Sequence, residues 1–280
     1  AAPSKAIARI ARMAVSNWKT RTSAVANAWR GIAWNGTVFA AVSSDGTGNR
    51  VMTSPDGIIW TSRTSAADNE WYGIAWNGTV FAAVAKSGTG NRAMTSPDGI
   101  TWTIRTSAAD NNWHSIAWNG TVFAAVSDNG TGNRVMTSPD GITWTSRTSA
   151  ADNSWAGLAW NGTVFCATGQ TGSGNRVMTS PDGITWTIRT SAADSSWRKV
   201  AWNGTVFCAV GTNSIMTSPD GITWTLRAAA DTDDTNDVAW NGLGTGTTLL
   251  TPAAGTGSVF ASVAYQGTVM TCHFNKGSGS

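Results

Sequence analysis

Acidic and catalytic side chains are scarce in this chain of 280 residues, which holds one glutamate (Glu70), two histidines, two tyrosines and three cysteines. Each shortage excludes something. Three cysteines do not make a disulfide framework, and two isolated histidines among scattered cysteines do not make a zinc cluster. A serine triad needs a histidine base, for which only His114 and His273 exist. Charged residues make up 12% of the chain, well below the ~25% usual in soluble domains. The net charge of +3 carries no run of Lys or Arg, which argues against nucleic acid as a partner. No stretch approaches the roughly 20 apolar residues of a membrane-spanning helix. Membrane insertion is therefore not expected, and neither is a metal or a cofactor. Residues 1–15 also lack the long apolar run of a signal peptide.

What the chain has is tryptophan, 17 of them, with 31 glycines. So many aromatics are incompatible with disorder. Cys166 and Cys208 follow a repeated Val-Phe pair where other copies have alanine, so they read as small core residues.

The tripeptide Trp-Asn-Gly begins at Trp34, Trp76, Trp118, Trp160, Trp202 and Trp240, at spacings of 42, 42, 42, 42 and 38 residues. A second marker, Ser-Pro-Asp-Gly, begins at Ser54, Ser96, Ser138, Ser180 and Ser218, each leading to a tryptophan. The first unit divides into four short strands: 29–34, 37–42, 50–53 and 59–63. Asn35-Gly36 suits a two-residue type I′ hairpin. A Gly-rich loop, 43–49, precedes the third strand, and Pro55 sets the turn before the fourth. Four strands per ~42 residues is the period of a β-propeller blade.

The expected fold is therefore all-β: a six-bladed β-propeller of four-stranded antiparallel blades. Residues 13–275 form the propeller, residues 1–12 an N-terminal tail, and residues 276–280 a C-terminal tail or linker remnant. The last unit has candidate strands at 237–240, 259–264 and 269–274 but no fourth. Residues 18–21, with a tryptophan of the fourth-strand class, supply it, so the N-terminal strand closes the ring. The last unit also carries 15 extra residues, 243–257, with Leu249 and Leu250. This insert is a candidate docking element for a protein partner.

Ser-Pro-Asp-Gly-Ile-Thr-Trp, as at Ser96 to Trp102, resembles the Asp-box of sialidase-type (BNR-like) propellers, with one residue fewer between Asp and Trp. The resemblance covers five of the six units. It implies a structural turn between third and fourth strands, with Ser and Asp bonding the turn backbone and Trp packed beneath. Asp56, Asp98, Asp140, Asp182 and Asp220 are then structural. Sialidases of this class use three arginines, a tyrosine activated by glutamate, and an aspartate. Here Glu70 can pair only with Tyr72 or Tyr265, so a non-enzymatic chain is expected.

Binding residues are sought on the face opposite the box, where the copies differ. The tryptophans that lead each unit, Trp29, Trp71, Trp113, Trp155 and Trp197, lie near that face. So do Arg50, Arg92, Arg134 and Arg176 at the start of the third strands, and Asp68, Asp110, Asp152 and Asp194 in the links between units. Trp stacks on sugar rings, and Arg and Asp bond paired hydroxyls. The same residues can instead pack between blades and form repeated salt bridges. Arg30, Tyr72, His114, Ala156 and Arg198 form an exposed variable column beside the leading tryptophans.

The expected function is multivalent recognition of glycans on a host or partner cell surface, through repeated weak sites. A structural spacer or decoration protein is the alternative, and a sialidase-like glycosidase a second. The Thr-, Ser- and Gly-rich composition is similar to that of phage fibre and bacterial surface propellers, which implies an extracellular or virion-associated protein. Deleting residues 1–21 should unpair the last blade's edge and cause aggregation or swapping, visible by size-exclusion chromatography. An unchanged monomer with unchanged melting would overturn the closure.

Overall fold

The computed structural model describes residues 21–227, Val238, and the backbone of two later strands, Ser258–Tyr265 and Thr268–Asn275. Five four-stranded antiparallel sheets follow one another, each pairing its strands in chain order. The first consists of Trp29–Trp34, Phe39–Ser43, Val51–Ser54 and Thr61–Arg63. Ser258–Tyr265 and Thr268–Asn275 form a two-stranded antiparallel sheet where the second and third strands of the last unit were expected. Five complete blades and one pair are thus observed in place of six blades. The remaining expectations lie outside the described residues: a strand at 237–240 except Val238, closure by 18–21 except Arg21, the insert 243–257 and both tails.

Each second strand, such as Phe81–Ala85, is buried along its whole length, because neighbouring blades cover both of its faces. Side chains alternate across the sheet, and here size alternates with them. One face of the second blade presents Trp71, Phe81, Met94 and Trp102, which pack on Ala40, Val42 and Val51 of the first. Its other face presents only Ala82, Val84 and Ala93, which receive Trp113, Phe123, Met136 and Trp144 of the third. The fourth and fifth blades repeat the pattern. Every blade is bulky on one side and small on the other.

The series is open at both ends of the complete blades. On the fifth, the small face of Cys208, Val210 and Ile215 is met by Val238, the counterpart of Val200 in the next unit. At the first, the backbone of Ser258–Tyr265 lies against Trp29–Trp34. Burial also fixes the cysteine chemistry, raising the Cys166 thiol pKa and pushing that of Cys208 up to about 12.

The marker turns have the geometry that the resemblance implies. In the second blade, Ser96 Oγ accepts the Gly99 N–H at 2.8 Å, and Asp98 Oδ1 accepts the N–H groups of Ile100 and Thr101 at 2.8 and 2.9 Å. Burial works to raise the Asp98 pKa. The N–H groups of Thr101 and Ile100 and the Ser96 hydroxyl outweigh it and hold it below 3.8. Trp102 Nε1 donates to the Gly99 carbonyl at 2.9 Å. Gly99 itself has φ +77°, and a Cβ there would come within 3.4 Å of Ala40 and Phe81, so the turn is glycine both for its backbone and for blade contact. Arg105 Nε bonds Thr95 Oγ1 at 2.9 Å, and the equivalent bond recurs in all five blades.

The first hairpin differs from expectation. Type I′ needs positive φ at both central residues, but Gly36 has φ +103° and Asn35 does not share it. The strands end at Trp34 and resume at Phe39. Asn35 Oδ1 accepts the N–H groups of Thr37 and Val38 at 2.9 and 2.7 Å, so a side-chain-capped four-residue turn replaces the two-residue one.

The size alternation makes Ala82 a sensitive position. Replacing it with leucine should overpack the space filled by Phe123 and Gly141 and destabilise the protein by about 1–3 kcal/mol in urea unfolding. Unchanged stability would show that the small face tolerates bulk.

Candidate functional site

The five first strands, led by Trp29, Trp71, Trp113, Trp155 and Trp197, stand side by side as the innermost strand of each blade. Each carries a bulge at the same place. Trp71 pairs with Ala85 and Gly73 with Val84, which leaves Tyr72 out of the ladder. Arg30, His114, Ala156 and Arg198 are skipped in the same way. A bulge re-aims side chains. Its effect here is that residues at two successive positions, Arg30 and Tyr72 at the bulge and Ser115 and Lys199 just after it, all reach one cavity.

That cavity, of about 120 Å³, is lined at its polar end by Arg30, Tyr72, Ser115 and Lys199. Deeper in, one aliphatic residue per unit closes round it: Ile32, Ile74, Ile116, Leu158, Val200 and Val238. The loops between second and third strands reach the same mouth. Arg30 Nε bonds Ser44 Oγ at 3.0 Å, and Lys86 Nζ stands 4.7 Å from the centre of the Tyr72 ring. The Arg30 guanidinium lies 5.2 Å from that ring, so two cations flank one aromatic face system. Lys86 is neutralised by Asp128 at 2.6 Å. Arg30 and Lys199 have no ion-pair partner among the described residues. Among the described residues the mouth carries unpaired positive charge.

His114 is not in the cavity wall. Its ring packs on Tyr72, centroids 5.1 Å apart, and its Nδ1 is shut off from solvent with no hydrogen-bond partner among the described residues. Burial, and then the charges of Lys199, Lys86 and Arg30, push its pKa down to about 3. The imidazole is therefore neutral at pH 7 and supports Tyr72 from behind. This corrects the expectation of an exposed variable site at His114.

The residues expected to bind sugars have other tasks. Trp29, Trp71, Trp113, Trp155 and Trp197 are at most 2% exposed, and each indole N–H donates to a backbone carbonyl four residues earlier, as Trp71 does to Ala67 at 3.0 Å. Their faces are filled by the neighbouring blade, which leaves no ring to stack on a ligand. Arg50 donates to the carbonyls of Gly46 and Ser44, both at 2.8 Å, and stands 3.7 Å from Asp68. Asp68 in turn accepts the Gly48 N–H at 2.7 Å. Arg92, Arg134 and Arg176 with Asp110, Asp152 and Asp194 repeat this clamp. These bonds hold two loops together, with the aspartate side chains still partly exposed. Glu70 is exposed and makes no side-chain bond to Tyr72, so the pair considered for sialidase chemistry is not assembled.

Ser115 and Lys199 escaped the sequence reading. Their signal was one column further along, where Gly31, Gly73 and Gly157 alternate with Ser115 and Lys199. Without knowledge of the bulge, strict alternation sends that column to the opposite face.

Neither a family model nor a curated protein matches the sequence. Solved structures do. A streptogramin B lyase is similar over 89% of this chain and 91% of its own, with a TM-score of 0.72 and 9% identity. Virginiamycin B lyase from Staphylococcus aureus covers 79% of this chain and 76% of its own, at TM-score 0.66 and 11% identity. YCF48 bound to a D1 peptide covers 76% and 70%, at TM-score 0.57 and 13% identity. The architecture is that of a β-propeller. At these identities the likeness shows the fold alone, and membership of the Asp-box family is not shown. It does overturn the expectation of a non-enzyme, since lyases share the architecture. The scarcity of Glu, Tyr and His excluded only the mechanisms it was weighed against. Among the described residues no helix is long and apolar enough to cross a membrane.

His114 gives the site a pH signature. Its pKa is about 3 folded and near 6.5 unfolded, so between these values the unfolded chain holds a proton that the folded chain lacks. Stability should fall as pH drops below 6.5, by roughly 2 kcal/mol between pH 7 and 5. His114→Ala, with the residue found at Ala156, should remove that slope in urea unfolding. An unchanged slope would assign it elsewhere.

Proposed function

We propose that the protein binds a small anionic ligand at the axial mouth, through Arg30 and Lys199, with Tyr72 and Ser115 orienting it. The observation that carries this reading is convergence. The units are nearly identical, yet four residues at positions where they differ, Arg30 and Tyr72 at the bulge and Ser115 and Lys199 just after it, line one cavity, and neither cation has an ion-pair partner among the described residues. Low dielectric and paired donors strengthen anion contacts there. The lyases and the peptide-bound YCF48 structure show that propellers of this kind serve both chemistry and recognition, and an axial anion site suits either. The burial of the leading tryptophans removes the support for multivalent glycan binding.

The reading includes a ring of six blades, the sixth built from residues 237–275 and closed by residues 18–21. Val238 on the fifth blade and Ser258–Tyr265 against the first support it.

Titration with acetate and with inorganic phosphate at low ionic strength tests the site, with methyl glucoside as the neutral comparison. Both anions should bind and the sugar should not. Arg30→Ala and Lys199→Gly place in one blade what another already has, so both should fold. Each should weaken anion binding about tenfold, the loss of one charge-assisted hydrogen bond. Failure of both anions to bind would overturn the reading.

A further inference from the structure

In each of the five complete blades the Trp-Asn-Gly marker continues into a threonine, as in Asn77-Gly78-Thr79, with counterparts beginning at Asn35, Asn119, Asn161 and Asn203. Asn-x-Thr is the acceptor sequence for transfer of a sugar to an asparagine side chain. The five lie in the turns that follow the first strands, at the far end of those strands from the charged mouth. Asn77 Oδ1 accepts the N–H groups of Thr79 and Val80 at 2.9 and 2.7 Å and the Thr79 hydroxyl at 2.9 Å. All five turns share the two backbone bonds, and the first three add the hydroxyl. The other end of the carboxamide, Asn77 Nδ2, makes no hydrogen bond among the described residues and is not shut off from solvent. Gly78 and Thr79 beside it are exposed. One more Asn-Gly-Thr begins at Asn129, in the loop between the second and third strands of the third blade. Asn129 is exposed, but among the described residues its Oδ1 accepts one bond, from the Asn112 N–H at 2.6 Å.

We propose that these five turns are acceptor sites for N-linked glycosylation, each asparagine Nδ2 taking a sugar from a glycosyl diphosphate donor on a transferase. The new bond joins Nδ2 to the anomeric carbon. The bond from that carbon to the donor's phosphate oxygen breaks, the diphosphate leaves with the electron pair, and a base of the transferase takes the proton from Nδ2. An amide nitrogen is a weak nucleophile, because its lone pair is shared with the carbonyl. As the proton leaves, negative charge moves onto Oδ1. Two backbone N–H groups, and in three blades a hydroxyl, already point at that oxygen, which is the arrangement that stabilises a developing oxyanion. Capping the turn uses the threonine N–H and not its hydroxyl, so many other residues would serve the fold at this position. The hydroxyl is what the acceptor sequence adds. Asn129 has the same sequence without the converging donors, so the turn geometry sets the five apart from it.

The folded protein is incubated with a soluble N-glycosyltransferase and a nucleotide-hexose, and separately with membranes carrying an oligosaccharyltransferase and a lipid-diphosphate oligosaccharide. Mass spectrometry of proteolytic fragments, whose sequences differ between units, reads each asparagine. Asn35, Asn77, Asn119, Asn161 and Asn203 should be modified about tenfold faster than Asn129, the worth of one or more hydrogen bonds to a charged oxygen. Asn241, where Leu243 stands in place of threonine, should stay bare. The donor that serves identifies the source of the sugar. Thr79→Val keeps the backbone bonds of the turn and should abolish transfer to Asn77 alone, with the other four sites as references in the same sample. Thr79→Ser should restore it. Peptides covering 75–81 and 127–133, too short to form a blade, should be accepted at similar rates. Transfer from neither donor to the folded protein would overturn the proposal, as would transfer to Asn77 that survives Thr79→Val. Equal rates at Asn129 and the five turns, or the same preference in the peptides, would overturn the part assigned to the turn geometry.

Discussion

Large side chains on one face of each blade pack against small ones on the next, and the rest of the molecule depends on that asymmetry. A blade whose faces were alike could stack on itself in either sense. Here the bulky set of Trp113, Phe123, Met136 and Trp144 fits only the small set of Ala82, Val84 and Ala93. Such a head-to-tail contact makes a ring or a filament, depending on the rotation per step. Because every step uses the same residues, the rotation repeats, and the innermost strands are carried round a common axis. The cavity exists because the blades agree on where that axis lies.

The same constraint explains the division of labour between the residue types. A leading tryptophan must fill the wedge between blades, so it is buried and its indole N–H is satisfied by backbone. The arginine and aspartate that follow must hold two neighbouring loops at a fixed distance, and their donors and acceptors are used in doing so. The tryptophan recurs in all five described blades and the arginine clamp in the first four, while the fifth blade packs without the clamp. Function is left to the side chains that packing does not claim.

Much of this was legible in the sequence. The spacing of Trp-Asn-Gly marked the repeating blades, five of which are complete among the described residues, and the β-branched and apolar runs gave strands within a residue or two of those observed. Ser96, Asp98 and Trp102 behave as the marker turn implied. Chemistry was less legible, for two physical reasons. Exposure cannot be read from residue type when a strand lies between two sheets: Trp71 at a strand end looks like a rim residue but is covered by the preceding blade. The bulge at Tyr72 also breaks the period of two on which any assignment of faces rests, so nothing in the sequence drew Ser115 and Lys199 into the site. Asn35 shows a third limit, since an Asn-Gly pair favours one turn type, but the asparagine side chain can build another from its own hydrogen bonds.

The bulge has a consequence for how such a protein changes over generations. A residue skipped by the ladder has no cross-strand partner whose size or charge it must match, so Arg, Tyr, His and Ala occupy that slot in otherwise matching copies. Each blade then works as a carrier for one residue beside the axis, and contacts such as those of Tyr72 with His114 and Arg30 couple one blade's choice to its neighbours'. Selection can rewrite those residues one blade at a time while the interlock beneath them stays the same. Duplication of a blade multiplies the carriers, and divergence at the skipped residue makes them different.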